Sequence, residues 1–470
     1  MTIPAVAPAP AAAPAAAPAA GRPFARRVAS VFGARVVVFG VGLITTIVVN
    51  RLLGPDGKGA YYAVTALPAL LGTVGVFGIP NAINYFSARG ISVRGLLLTA
   101  IFFVAIISAA LIALMWVALP WLETNFLSGA PAKVGTDAAD QMLRLILITV
   151  PAGMIATFAG TILYGRHEVR LYTAIMVGQA VATMIVLVTA IGVLKLGVWG
   201  AVEGSVIVSC LGAVAVLVAV RHVAVRNPGG APVPMRSLVS YGARAYPAGI
   251  TGYFNYRADV FIIQALMVSA QIPRALGLYS FAVTMAELIF YIPDAVTTIF
   301  LPTIAASTAD AADAKLGRVS RLTFLVTVIC SLALIPVAWA GTLLILPKYI
   351  DCMPAFLVLL PGVVSLSLGK VLTSYIAGRG RPGPISIGGA ITLALNLAAN
   401  VILIPRYGIV GASLSSLISY TAMAALMVPV ACRISGLSPA ALVVPRKEEF
   451  LALRTIAQLI VGRVTSRVRA

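Results

Sequence analysis

Charge is what this chain has least of. Only 10% of its 470 residues are charged, and 14 are acidic. A soluble fold of this length needs far more polar surface to cover itself. The two histidines, His167 and His222, have no cluster of Cys, Asp or Glu beside them, so no metal site is expected there. The four cysteines, Cys210, Cys330, Cys352 and Cys432, show neither paired nor metal-ligating spacing. They read as packing residues. No GxxxxGK[ST] string occurs, which argues against direct nucleotide hydrolysis. A nucleophile elbow and an HExxH motif are missing too, and no acid–base pair stands out. No catalytic residue, metal or cofactor is expected from this composition.

What is abundant is hydrocarbon. Hydrophobic residues make up 60% of the chain, and its mean hydropathy is +1.02. They fall into segments near 28–50, 60–86, 95–119, 140–164, 172–194, 199–221, 238–268, 276–305, 320–346, 354–377, 384–404 and 409–432. A helix of about 20 apolar residues crosses a hydrocarbon core of about 30 Å. Open strands cannot satisfy their backbone in lipid, and barrel strands would alternate in polarity. The expected fold is an all-α polytopic membrane protein of about twelve transmembrane helices.

The net charge of +20 follows from the positive-inside rule rather than from nucleic acid, which is not an expected partner. Twelve spans place both termini on one side. The loops of that side carry 12 Lys and Arg against 7 on the other, so both termini are expected in the cytoplasm.

The chain repeats itself. Gly165-Arg166 matches Gly378-Arg379, offset by 213 positions. LGVWGAVEGS (196–205) resembles YGIVGASLSS (407–416), offset by 211. Gly59-Ala60-Tyr61 recurs as Gly277-Leu278-Tyr279, offset by 218. These markers predict two six-span lobes, 28–225 and 226–432, with the longest loop, 222–237, as linker. Repeats of this kind mark transporters, with the substrate path between the halves. An Ala/Pro-rich arm over 1–27 is expected to be disordered. The tail, 433–470, is basic and amphipathic over 446–470, and is expected to lie on the anionic membrane surface or to bind a partner protein.

Ionisable residues inside spans are costly and usually face a polar interior. Span 7 holds the densest set, Arg244, Tyr253, Asn255, Arg257 and Asp259, within YGARAYPAGITGYFNYRADVF (241–261). Tyr253 and Arg257 are four apart, as are Asn255 and Asp259, so each pair shares a helix flank. Arg257 and Asp259, two apart, cannot share one stripe. At least one should pair with another helix, and Glu287 or Asp294 is a natural partner for Arg257. Pro247 and Gly249 allow a kink there, as Pro80, Pro151, Pro293 and Pro361 do elsewhere. Two readings stay open for Arg35, Arg244, Arg257 and Lys370. In one they hold an anionic head group, because guanidinium forks match phosphate oxygens. In the other they pair with Asp259, Glu287 and Asp294. Those three acids are also candidates to carry H⁺ or Na⁺ for coupling. Asn81, Asn84, Asn396 and Asn400 either touch ligand hydroxyls or bond between helices.

RLLGPDGKGAYYAVTALPALLGTVGVFGIPNAINYFSARG (51–90) resembles the first signature of the Wzx-type polysaccharide flippases, a branch of the multidrug/oligosaccharidyl-lipid/polysaccharide exporter superfamily. Leu53, Gly54, Pro55, Gly59 and Tyr61 carry the match. IAGRGRPGPISIGGAITLALNLAANVILIPRYGIVGASLSSLISY (376–420) is similar to the family's C-terminal module. The resemblance implies a two-lobed, V-shaped fold like that of the multidrug exporters of the superfamily. It also implies that an undecaprenyl-diphosphate-linked oligosaccharide is moved from the inner to the outer leaflet of a bacterial inner membrane. Partners would be that polyprenyl-linked sugar, membrane lipids and other polysaccharide assembly proteins. The chain would be a transporter and not an enzyme. The alternatives are a cation-coupled drug antiporter of the sister branch, and a membrane scaffold or polysaccharide polymerase.

Overall fold

The computed structural model describes residues 22–88, 90–125, 136–166, 168–233, 235–267, 271–305 and 307–451. Among them the chain is almost wholly helical, as a backbone in lipid must be. The first half holds α1 (Arg22–Gly75), α2 (Ile79–Ala88), α3 (Val93–Asn125), α4 (Thr136–Ile146), α5 (Thr149–Gly165), α6 (Val169–Val188) and α7 (Gly197–Arg226). The second holds α8 (Met235–Leu266), α9 (Ile272–Glu287), α10 (Tyr291–Ala305), α11 (Ala309–Ile345), α12 (Met353–Gly378), α13 (Gly383–Ser435) and α14 (Pro439–Val443).

Nine segments of the described residues are long and apolar enough to cross a bilayer. Two of them are double. In α1 two helices meet at Gly54, whose φ is 67°, and in α13 two meet at Gly408, whose φ is 56°. Only a residue without Cβ enters that region cheaply. With both divided and α8 added, twelve crossing segments result, in agreement with the sequence. α8 misses the apolar set because it carries the charges singled out above.

Three of the five prolines expected to bend spans sit just past a helix break, while Pro247 lies within the unbroken run of α8. Residues 76–78 unwind before Pro80, 147–148 before Pro151, and the 3-10 turn Leu288–Phe290 precedes Pro293. Proline removes one helical donor and crowds the carbonyl four residues back, so the break falls upstream of the ring. Pro361 lies inside an unbroken α12.

Several boundaries differ from expectation. α1 starts at Arg22, inside the arm assigned to 1–27, and residues 1–21 lie outside the described residues. α7 runs to Arg226 because its apolar face stays buried through Val223. The linker is therefore shorter than 222–237, and it is pinned: the Ser92 N–H donates to the Ala231 carbonyl at 3.0 Å. The tail is described as far as Leu451, so most of the amphipathic stretch lies outside the described residues.

The cores follow the halves. One cluster joins Ile83, Leu96, Phe158 and Val220 of the first half. Another joins Ile263, Tyr279, Phe356 and Val363 of the second, and takes in Ala66 with Tyr62 and Ala63 from α1. The second helix of α1 thus packs across between them, and so does the start of α8, whose Leu238 joins the first cluster.

The sequence repeat reappears as repeated close contacts. A Cβ at Gly59 would lie 1.5 Å from the Pro273 carbonyl oxygen, and one at Gly277 would lie 1.9 Å from the Pro55 oxygen. Pro55 and Pro273 have the same 218-residue offset as Gly59 and Gly277. The contact is reciprocal, as a pseudo-twofold relation requires. A Cβ at Gly165 would meet the Asn84 oxygen at 2.8 Å, and one at Gly378 the Leu301 oxygen at 3.2 Å.

Candidate functional site

α8 is the site's backbone. Both of its inner charges turn to α9. Arg257 Nη2 donates to Glu287 Oε2 at 3.2 Å, with both side chains partly exposed. Asp259, only 5% exposed, accepts from the Tyr279 hydroxyl and, at 2.8 Å, from the Val260 N–H. Tyr279 also meets the Ser416 hydroxyl. In the first half the equivalent Tyr61 bonds Ser205 at 2.7 Å. In the second half the corresponding tyrosine also has a carboxylate beside it.

Lys370 on α12 pairs with Asp294 on α10 at 2.7 Å, and its ammonium sits 4.0 Å above the Phe290 ring. Two of the four candidate cations therefore hold a carboxylate rather than standing open to an anion. Arg35 lies on α1 and Arg244 on α8, two residues before Tyr246; their side chains lie outside the described residues. Asn255 donates to the Gly389 carbonyl at 3.2 Å and to Thr392 Oγ1 at 3.3 Å. Asn396 and Asn400 are buried and bonded to each other at 2.9 Å, and Asn396 reaches Ser419 at 3.1 Å. Those two asparagines serve the interior of the second half.

Apart from the Phe39 ring of α1, which packs on Tyr291 of α10 at 4.5 Å between centroids, the halves touch at two levels. The first is the Gly59–Gly277 crossing, close to the Gly54 break. The second joins α2 to α8: a Cβ at Gly78 would lie 2.1 Å from the Gly242 carbonyl oxygen. Around it Tyr85 stacks on Tyr241, Phe77 packs on Tyr246, and the Tyr246 hydroxyl donates to the Val74 carbonyl at 2.8 Å.

Between these levels lies a cavity of about 580 Å³. Its walls come from the second helix of α1, from α2, α5 and α7, and from α8. Thr65, Thr73, Thr157, Ser209, Asn81 and Tyr246 give it a hydroxyl and amide lining, and no Asp, Glu, Lys, Arg or His occurs among the described residues that line it. Asn84, Tyr253, Arg257, Asp259, Glu287 and Asp294 do not line it. Its hydroxyl residues were not singled out from sequence, because Ser and Thr are common in membrane helices and usually bond their own backbone.

A smaller cavity of about 350 Å³ lies within the second half, between α8, α12 and α13, and is lined by Asn255 and Lys370 among others. No group of three His, Cys, Asp or Glu that could hold a metal ion occurs among the described residues.

Among solved structures, the chain is similar to the lipid II flippase MurJ in an inward closed conformation. The TM-score is 0.72 at 13% identity, over 93% of this chain and 92% of that one. An inward-facing multidrug resistance MATE family transporter of the MOP superfamily gives a TM-score of 0.62 at 16% identity, over 84% and 94%. At such identities the likeness is one of fold. A segment of 77 residues is 32% identical to the uncharacterized membrane protein MJ1068 of Methanocaldococcus jannaschii. It covers 16% of this chain, and this chain spans only 15% of that protein's length. Residues 24–308, more than half of the chain, match the polysaccharide biosynthesis protein family, and the protein, a multi-pass membrane protein, belongs to it.

Proposed function

We propose that the protein carries an undecaprenyl-diphosphate-linked oligosaccharide from the cytoplasmic to the outer leaflet of a bacterial inner membrane, with both termini in the cytoplasm. It does so by opening its two contact levels alternately. The observation that carries this reading is the large cavity between the halves, lined with hydroxyls and without charge among its described lining residues. A glycan loses its water on entering hydrocarbon, at a cost of about 4–8 kcal/mol for each unpaired hydroxyl or amide. The cavity replaces those hydrogen bonds, while the polyprenyl chain stays in lipid. Membership of a polysaccharide biosynthesis family supports a sugar cargo, and the MurJ-like fold suits a lipid-linked one. A cationic drug would want a carboxylate in the cavity wall, and none of the described lining residues supplies one.

Arg244 and Arg35 are the candidates to meet the diphosphate, together with Arg257 once Glu287 yields it. Asp259, Glu287 and Asp294 are the groups through which H⁺ or Na⁺ coupling would act. The test is complementation of a strain lacking its own O-antigen or exopolysaccharide flippase. Restored surface polymer supports the reading, and none at normal membrane expression with a panel of polymer types would overturn it.

A further inference from the structure

Span 2 is broken where its sequence reads GVFGIP (75–80). Residues 76–78 leave the helix there, Gly78 at a φ of 67° and Phe77 at 46°. Phe77 is one of two non-glycine residues with positive φ among those described. A residue with a Cβ is disfavoured in that region about fivefold to 30-fold against glycine, so its surroundings must hold Phe77 there. α8 does so. The Phe77 ring packs on Tyr246 with 4.5 Å between centroids, and the Tyr246 hydroxyl donates to the Val74 carbonyl at 2.8 Å. In an unbroken helix the Val74 carbonyl would take the N–H of Gly78, four residues on. A side chain of the other half thus stands in for a backbone donor of span 2. Pro80 has no N–H to give the Val76 carbonyl in a rewound helix. In the break the Ile79 N–H serves that carbonyl at 3.0 Å. Each form therefore leaves one carbonyl wanting, and the docking of α8 decides between them.

The two helices that meet at the break are held by different bodies. α2 is sunk in the first-half core through Ile79, Ala82 and Ile83, and its Ser87 hydroxyl donates to the Ile162 carbonyl at 3.1 Å. The second helix of α1 is shared: Leu71 joins the first core, but Tyr62, Ala63 and Ala66 pack in the second. A parting of the halves at the α2–α8 level pulls on the segment between these anchors. We propose that residues 76–78 are a two-state joint, bent while Tyr246 is docked and rewound into helix when α8 withdraws, a reading that rests on the alternate opening proposed above. Val76, Gly78 and Asn81 line the large cavity, so rewinding reshapes its wall as this level opens.

Spin labels at Arg170 and Arg381, both exposed just past the repeat-related Gly165 and Gly378, report this level by pulsed EPR on full-length protein in nanodiscs. Phe77→Gly and Phe77→Ala lose the same ring and differ in the cost of the bend and of the rewound helix. The ratio of short to long distances should be at least about fivefold higher in Phe77→Gly than in Phe77→Ala; equal ratios overturn the joint. Hydrogen exchange at Phe77 and Gly78 gives the second test, on Gly242→Ala, whose Cβ would press on the Phe77 oxygen at 3.1 Å. Longer Arg170–Arg381 distances with exchange slowed at least tenfold support rewinding. Longer distances with unchanged or faster exchange overturn rewinding and leave alternate opening intact. Distances that stay short in Gly242→Ala, and also in Gly242→Leu with its larger wedge, overturn alternate opening itself, and the joint with it.

Discussion

Replacing Gly59 with alanine should tip the protein toward a state open at the Gly54 end. The added Cβ would lie 1.5 Å from the Pro273 oxygen, whereas ordinary carbon contacts need about 3.5 Å. The helices must part by about 2 Å there. Overpacking a close contact costs typically about 1–3 kcal/mol, and a cost confined to one state shifts the balance between states about tenfold for each 1.4 kcal/mol. The closed arrangement should lose between about fivefold and 150-fold in population. Gly277→Ala strikes the same contact from the other side, at 1.9 Å from the Pro55 oxygen. The double variant should therefore shift the balance by clearly less than the sum of the singles, since one separation relieves both clashes. Lys195 and Lys348 are exposed and belong to this end: Val198 lies against Gly57, and Tyr349 donates to the Asn50 carbonyl. Spin labels at these two positions should report longer distances by pulsed EPR in either variant. Gly178→Ala, with nothing near its Cβ, should match wild type. Unchanged distances and full polymer output from Gly59→Ala would refute the argument that this crossing is a gate.

Other perturbations test other links. Gly242→Ala acts at the opposite level, where its Cβ would lie 3.1 Å from the Phe77 oxygen, so it should lengthen EPR distances at that end and leave the Lys195–Lys348 distance unchanged. Arg257→Ala should abolish surface polymer while the protein still inserts; normal output at wild-type expression removes Arg257 from the transport cycle. Glu287→Gln frees Arg257 and should raise affinity for pyrophosphate-bearing lipid several-fold while slowing turnover, measured by ligand-induced thermal shift and polymer output. Glu449→Ala removes two bonds to the Arg321 guanidinium, at 2.6 and 2.9 Å, each worth about 1.5–3 kcal/mol net. Trypsin should then cleave after Arg446 at least tenfold faster. The Arg321 bond holds the Glu449 carboxyl below its ordinary value. That stabilisation is complete above the usual carboxylate value of about 4.3 and is lost as pH falls through the depressed value. Tail protection from an acid-active protease should therefore hold at pH 5 and fail only below about pH 4.

The elements that hydrophobic length and glycine spacing encode were readable: the twelve crossings, the repeat and most helix breaks. Gly59 and Gly277 could be matched because a close backbone approach admits almost no other residue, so both halves kept it. Partners across the bundle were harder. Arg257 had two candidate acids, and only the rotation of α9 against α8 decides for Glu287. Lys370 and Asp294 lie 76 positions apart, and nothing local in the sequence joins them. Arg321 is buried in α11 against Glu449, 128 residues away, and nothing local in the sequence joins those two either. The hydroxyl-lined cavity escaped notice for a related reason. A threonine facing a void and one facing lipid look alike until four helices are assembled.

The pairing of the interior cations bears on how such a carrier lets go. A lone guanidinium in a low-dielectric cleft would hold a diphosphate tightly and release it slowly, since desolvated opposite charges attract strongly. It would also be costly to keep buried while the cleft is empty. A cation already paired avoids both problems: the acid shelters it when empty and competes for it when the substrate must leave. The Arg257–Glu287 contact has the features such an exchange needs, with both side chains partly exposed and a bond of 3.2 Å rather than a short bidentate clamp. Asp259 is different. It is buried against Tyr279, within the tyrosine–serine pair that the first half also has. An anion cannot displace it without unpacking α8 from α9. On the function proposed above, exchange at Arg257 and permanence at Asp259 would divide one helix into a part that meets the substrate and a part that holds the lobe together.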